Sequence, residues 1–181
     1  DAADFYKRSL SIAKKSDSIY DIAHLYLLNG KILFGKGEDK KSIGCFNKSE
    51  ELLIKVGKGD LAELYGAMAY PLIRLKRFEE AKAKIDKAEE ILKEKEVFKN
   101  VMFVKKAKGF LFGEQRQPKK ALDLYEEAVE IAENQNYLVE LARIYYEISI
   151  VYKKKGDRKK EKYFFSKANE IFKTTSTKYK L

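Results

Sequence analysis

Along residues 77–92, RFEEAKAKIDKAEEIL, the apolar and small positions are Ala81, Ile85, Ala88 and Ile91, with charged residues between them. Offsets of four, three and three keep such positions on one face of a helix. The series returns in residues 117–132 as Ala121, Tyr125, Ala128 and Ile131. Earlier copies run Ser42, Phe46, Ser49, Leu52 and Ala2, Tyr6, Ser9, Ile12, and a last one runs Glu161, Phe165, Ala168, Ile171. Successive copies lie 39 or 40 residues apart, so the chain is built from one repeated unit.

A second series sits twelve residues ahead of each internal anchor. Its members are the small residues Gly30, Ala69, Gly109 and Ser149, each followed three positions later by Leu33, Leu72, Phe112 or Tyr152. This marks a second helix in each unit, with small residues allowing close approach and bulky ones filling the space beside them. Turn signals part the two helices at Gly37, Lys76, Pro118 and Gly156, and the proline suits the first turn of a helix. The predicted elements are a lone helix at about 2–15 and pairs at about 19–35/40–56, 60–75/78–95, 97–113/118–134 and 137–154/158–173. The solenoid then covers 1–173, and 174–181, TTSTKYKL, is expected to be a flexible tail. The chain opens in mid-repeat, without an initiator Met, which reads as a piece of a longer solenoid.

Composition sharpens this picture. Two prolines, no tryptophan and abundant Lys, Glu, Ala, Leu and Ile favour helix throughout. No run of eighteen apolar residues occurs, so no membrane insertion is expected. The single cysteine, Cys45, rules out an internal disulfide framework and fits a reducing compartment, so a cytoplasmic location is expected. The net charge of +10 is concentrated at one end: residues 151–181 hold eleven Lys and Arg against three Asp and Glu. The cations Lys153, Lys154, Lys155, Arg158, Lys159, Lys160, Lys162 and Lys167 form the basic patch. Tyr163 is the one ring interleaved with it, whereas base stacking uses several such rings, and the patch weighs little towards nucleic acid.

The small-x-x-large series followed by Ala, aromatic, Ala resembles the tetratricopeptide repeat. The resemblance covers nearly the whole chain, with a unit of about 40 residues instead of the usual 34. Repeats of this length look like those of kinesin light chains, of receptors for bacterial peptide pheromones and of the sensor arms of large bacterial regulators. The resemblance implies an all-α, right-handed α-α superhelix of about four helix pairs plus one extra N-terminal helix, with the first helices lining a groove. Carried over by register, the groove positions are His24, Leu27, Lys31 and Phe34; Glu63, Gly66, Tyr70 and Ile73; Phe103, Lys106, Phe110 and Gly113; and Arg143, Tyr146, Ile150 and Lys153. The carboxylate clamp of part of the family is missing, since its places hold Leu27 and Lys31, then Gly66 and Tyr70.

Motifs of catalysis are weak. His24 is the only histidine, and with Cys45 alone beside it no metal site is expected. GKILFGKG at 30–37 approaches a phosphate-binding loop but ends in Gly where a hydroxyl must meet Mg²⁺, and Gly30 belongs to the helix-packing series. Glu79-Glu80, Glu89-Glu90 and Glu126-Glu127 are adjacent and so diverge by about 100° on a helix. The expectation is a non-enzymatic binding module without cofactor, holding a protein or peptide partner, and serving as scaffold or sensing arm of a larger regulator. The rivals are a signalling-peptide receptor and a binder of acidic partners or nucleic acid through the basic end. Asn29, Asn47, Asn100 and Asn136 fall on no groove position, which counts against the first rival. Apolar terminal helices point further to self-association.

Overall fold

The computed structural model describes residues 8, 11–13, 15, 17–57, 61–94 and 97–178. Among them all regular structure is helical. Eight helices follow in order: α1 (Ile19–Gly35), α2 (Asp39–Val56), α3 (Leu61–Arg74), α4 (Phe78–Glu94), α5 (Phe98–Glu114), α6 (Pro118–Asn134), α7 (Leu138–Lys155) and α8 (Arg158–Lys178). Each predicted pair is present, with boundaries shifted by one or two residues except at the last. Of the lone first helix, only Arg8, residues 11–13 and Lys15 are described, and they are helical. The helix expected to stop at 173 runs on to Lys178. Within that last stretch the hydroxyls of Thr174 and Thr175 donate back to the carbonyls of Glu170, Ile171 and Phe172, bonds that a helical Ser or Thr can make to the preceding turn. Residues 179–181 lie outside the described ones.

The helices divide into two compact units, Asp1–Lys95 and Glu96–Leu181. In the first, α1 packs on α2, α2 on α3 and α3 on α4; in the second, α5 packs on α6, α6 on α7 and α7 on α8. The anchors predicted to lie between helices do so. Ser42, Ser49, Ala81, Ala88, Ala121 and Ala128 are fully buried, as are Phe46, Ile85 and Tyr125. Phe165, at the same register in α8, is 46% exposed.

Small residues serve large ones across each pair. A Cβ on Gly30 would stand 2.4 Å from the ring of Phe46, and one on Gly109 would stand 2.9 Å from that of Tyr125. The pairs without glycine, Ala69 with Ile85 and Ser149 with Phe165, set an aliphatic side chain or an outward-turned ring at the corresponding place. Hydroxyls add polar links in the first unit: Ser42 Oγ donates to the Gly30 carbonyl at 2.7 Å and Ser49 Oγ to that of Ala23 at 2.8 Å.

Every turn within a pair ends its first helix alike. The sixth-to-first backbone bonds are Glu38 to Leu33, Arg77 to Leu72, Gln117 to Phe112 and Asp157 to Tyr152, all at 2.9–3.0 Å. This Schellman closure places one residue in the left-handed region. Gly37 and Gly156 take it without strain, whereas Lys76 (φ 61°) and Arg116 (φ 59°) take it with a Cβ. Pro71 lies inside α3, buried in the first unit, and the helix continues past it to Arg74.

Candidate functional site

In each unit the first helices are neighbours, α1 with α3 and α5 with α7, and the residues expected along the groove separate into three kinds. Leu27 (1% exposed), Ile73 (0%) and Lys106 (3%) are buried and offer no contact surface, a correction to their expected place on the groove. A helix side chain turned towards its neighbour is buried whatever its register position. His24, Lys31, Phe34, Glu63 and Tyr70 are half-buried on the first unit, and Phe103, Phe110 and Ile150 on the second. Arg143, Tyr146 and Lys153 are exposed.

The lysines expected to face a ligand are already engaged. Lys31 Nζ donates to Glu63 Oε1 at 2.5 Å, linking α1 to α3. Lys106, whose side chain is 4% exposed, donates to Glu140 Oε2 at 2.7 Å, linking α5 to α7. The other carboxylate oxygen of Glu140 takes Arg143 at 2.5 Å. Aromatic rings stand beside cations in both units. Phe34 lies 5.7 Å from Tyr70, with the Arg74 guanidinium 3.9 Å over its face and bonded to the Phe34 carbonyl and to Asp39. Lys106 stands 5.3 Å and Lys99 5.9 Å from the Phe103 ring centre.

Beside the second pair sits a carboxyl that the register did not mark. Glu147 on α7 carries a buried Oε2 without a hydrogen-bond partner. Burial pushes its pKa above the usual carboxylate range, against the charge of Lys106 and a hydrogen bond from Tyr125. Glu140 differs: burial pushes it up, but the charge and hydrogen bonds of Lys106 and Arg143 outweigh this and hold it low. An acid with a raised folded pKa costs stability as pH rises above its ordinary value of 4.5. Glu147→Gln is therefore expected to stabilise the protein by about 1 kcal/mol at neutral pH, and the gain should vanish near pH 4. Urea midpoints at the two pH values check this; a loss of stability at neutral pH would show that the carboxylate is needed.

No protein-family model matches the sequence, and no curated protein matches it either. Solved structures do match. BtubC from P. vanneervenii superposes with a TM-score of 0.66 at 19% identity, over 97% of this chain and 73% of that one. A Rap protein in complex with Competence and Sporulation Factor gives 0.74 at 20%, over 86% and 43%. Aspartyl phosphate phosphatase F from Bacillus subtilis gives 0.70 at 17%, over 97% and 46%. The fold is that of a tetratricopeptide-like helical solenoid. The chain spans less than half the length of the last two proteins.

On this tetratricopeptide-like frame the basic end is only partly unengaged. Lys154 pairs with Glu114. Lys155 and Lys160 lie 5.5 and 5.1 Å from the Tyr152 ring centre, and Lys167 lies 4.9 and 5.1 Å from those of Tyr145 and Tyr163. Arg158, Lys159 and Lys162 are exposed. Tyr163, the one interleaved ring, packs edge-on against Phe164.

The remaining candidates have ordinary places. His24 Nε2 lies 3.1 Å from the Tyr20 hydroxyl, within one helix. Cys45 is half-buried, accepts from Asn29 Nδ2 at 3.4 Å, and burial pushes its thiol up, away from thiolate chemistry. Residues 30–35, the start of the loop-like motif, are helix. Among the described residues no group of three His, Cys, Asp or Glu could hold a metal ion, and no helix is long and apolar enough to cross a membrane. Glu140 and Glu147 were missed because both lie off the register positions of the groove. The one signal for Glu140 was an acid in the first turn of α7, three residues before Arg143.

Proposed function

We propose that the chain is a non-enzymatic scaffold module that holds a protein or peptide on the first-helix faces of its repeats, as the sensing arm of a larger regulator. The observation that carries this reading is the exposed pair Arg143 and Tyr146 on α7: the cation is 58% and the ring 46% exposed, three residues apart. A ring that presents apolar area next to a cation is the composition of a binding hot spot. Lys106 is buried and Lys31 half-buried in their carboxylate pairs, whereas Arg143 stays 58% exposed beside Glu140 and Lys153 is exposed, so a partner's charge would meet Arg143 and Lys153, and its apolar side chains Phe103, Phe110 and Tyr146. The Rap protein solved with Competence and Sporulation Factor supports the same reading, as an example of this fold with a bound factor.

The test is selection of binders from a random peptide display library, followed by titration of the best peptide. Tyr146→Ala and Arg143→Glu are expected to weaken it by about tenfold or more. Lys159→Glu with Lys160→Glu should leave it unchanged at physiological salt, because both lysines lie on α8, off the first-helix face, and salt weakens interactions between exposed charges. Loss of binding on that charge reversal alone would transfer the function to the basic end.

A further inference from the structure

The groove between successive second helices is closed by charge in one unit and opened in the other. In the first unit Glu50 of α2 and Lys84 of α4 bridge that place at 2.7 Å, both about four-fifths buried. Lys84 stands 4.8 Å from the Tyr65 ring centre, and burial, followed by the charge of Glu50, pushes the Tyr65 phenol up to about 12. Counting from the anchors Ser42, Ala81, Ala121 and Glu161, the residues at the same register in the second unit are Val129 and Phe164. Both charges of the pair have become apolar together. In their place is a cleft of about 240 Å³ between α6, α7 and α8.

The cleft has a defined interior. Leu122 and Val129 of α6 and Ile148 of α7 form its aliphatic part. Phe164 lies among three tyrosines, stacked on Tyr152 at 5.6 Å and 4°, tilted to Tyr145 at 5.9 Å and edge-on to Tyr163 at 5.1 Å. One cation lines it, Lys167, whose counterpart Lys87 is at the same register in α4. Lys167 is held by Tyr163 and Tyr145, and hydrogen bonding to Tyr163 first, then to Tyr145, pushes its pKa above the usual lysine value. Tyr145 in turn donates to Glu133 at 3.0 Å. Glu126, exposed on the α6 side, is the one acid in the lining and sets the polarity of the cleft: negative on α6, positive on α8.

We infer that this cleft binds an aryl carboxylate: one aromatic ring seated among Val129, Ile148 and Phe164, with its carboxylate directed to Lys167 and away from Glu126. The volume lies just below the usual range for small-molecule sites and suits one ring with a short acidic arm. Offset and edge-on ring contacts supply the orientation, and the ammonium supplies a charge-assisted bond. The same chemistry is offered by a free arylalkanoic acid and by a peptide ending in phenylalanine.

The test is titration of the full chain, followed by NMR of the aromatic resonances, with 3-phenylpropionate, with 3-phenylpropan-1-ol, and with a hexapeptide ending in phenylalanine as free acid or amide. The acid is expected to bind about fivefold more tightly than the alcohol, as a partly exposed ion pair allows. Lys167→Met should erase that difference and leave the alcohol unchanged. Val129→Glu with Phe164→Lys, which installs the pair found at Glu50 and Lys84, should abolish binding of both. Thermal unfolding shows whether this double variant remains folded; if it does not, Lys167→Met decides. Binding by the acid alone assigns the site to a free acid, and binding by the hexapeptide acid to a chain terminus. No binding of either acid, equal binding of acid and alcohol, or unchanged binding in a folded double variant would overturn the inference.

Discussion

Glu140→Ala is expected to cost roughly 3–5 kcal/mol, the loss typical when one partner of a buried ion pair is removed. The reason is what remains: Lys106, 4% exposed, would keep its charge in the core between α5 and α7 without the carboxylate 2.7 Å away. Glu147 is the acid placed to relieve it, since the charge of Lys106 already acts on that buried carboxyl. Glu140→Ala with Glu147→Gln should therefore lose more stability than the two single variants combined, a coupling that a double-mutant cycle reads directly. Replacing the pair as Lys106→Met with Glu140→Leu should restore most of the loss, because an apolar pair of similar size needs no desolvation of charge. Urea unfolding of the four variants measures all of this, and a cost below about 1 kcal/mol for Glu140→Ala would show the pair to be solvated in solution. The pH dependence has a definite sign. A carboxyl whose folded pKa is depressed contributes its stability above its ordinary value of 4.5, and the contribution is lost as pH falls through the lower folded value. Acid should thus loosen α7 from α5, while the Glu147 effect runs the opposite way.

Gly30→Ala should destabilise the first unit by about 1–3 kcal/mol, the usual cost of overpacking, although alanine is the better helix former by about 1 kcal/mol. The new Cβ would meet Cε1, Cδ1 and Cζ of Phe46 at 2.4, 2.6 and 2.9 Å, and that ring is buried, 1% exposed, so it must shift within the core. Gly109→Ala should cost less, since its closest approach to Tyr125 is 2.9 Å and the next are 3.1 and 3.2 Å. Gly30→Ala with Phe46→Ile recreates the combination found at Ala69 and Ile85, and should recover part of the loss. Thermal midpoints of the three variants decide: if Gly30→Ala were more stable than the parent, the tight seat of Phe46 on Gly30 would be wrong.

Much of this architecture was legible in the chain alone, for a local reason. The face of a helix is set by residue spacing, so Ala81, Ile85, Ala88 and Ile91 announced one helix, and their return at 121–131 announced the repeat. Turns are equally local, and Gly37 and Gly156 stand at the left-handed closures where an unbranched backbone is favoured. The fate of each side chain on those helices was a different matter. Leu27 and Lys31 share a predicted face, yet one is core and the other bridges to Glu63 on the next first helix. Lys106 sits at a groove position but is neutralised by an acid 34 residues away, on a helix whose angle and distance no spacing rule contains. The cleft at Val129 and Phe164 depends likewise on where α6, α7 and α8 come to rest. The sequence by itself determined the helices, their faces and their repeat, because backbone periodicity and turn geometry act over a few residues. Tertiary structure alone decided which charges are paired, which groups are buried and where space remains, because burial and ion pairing require side chains from different helices to meet within about 3 Å.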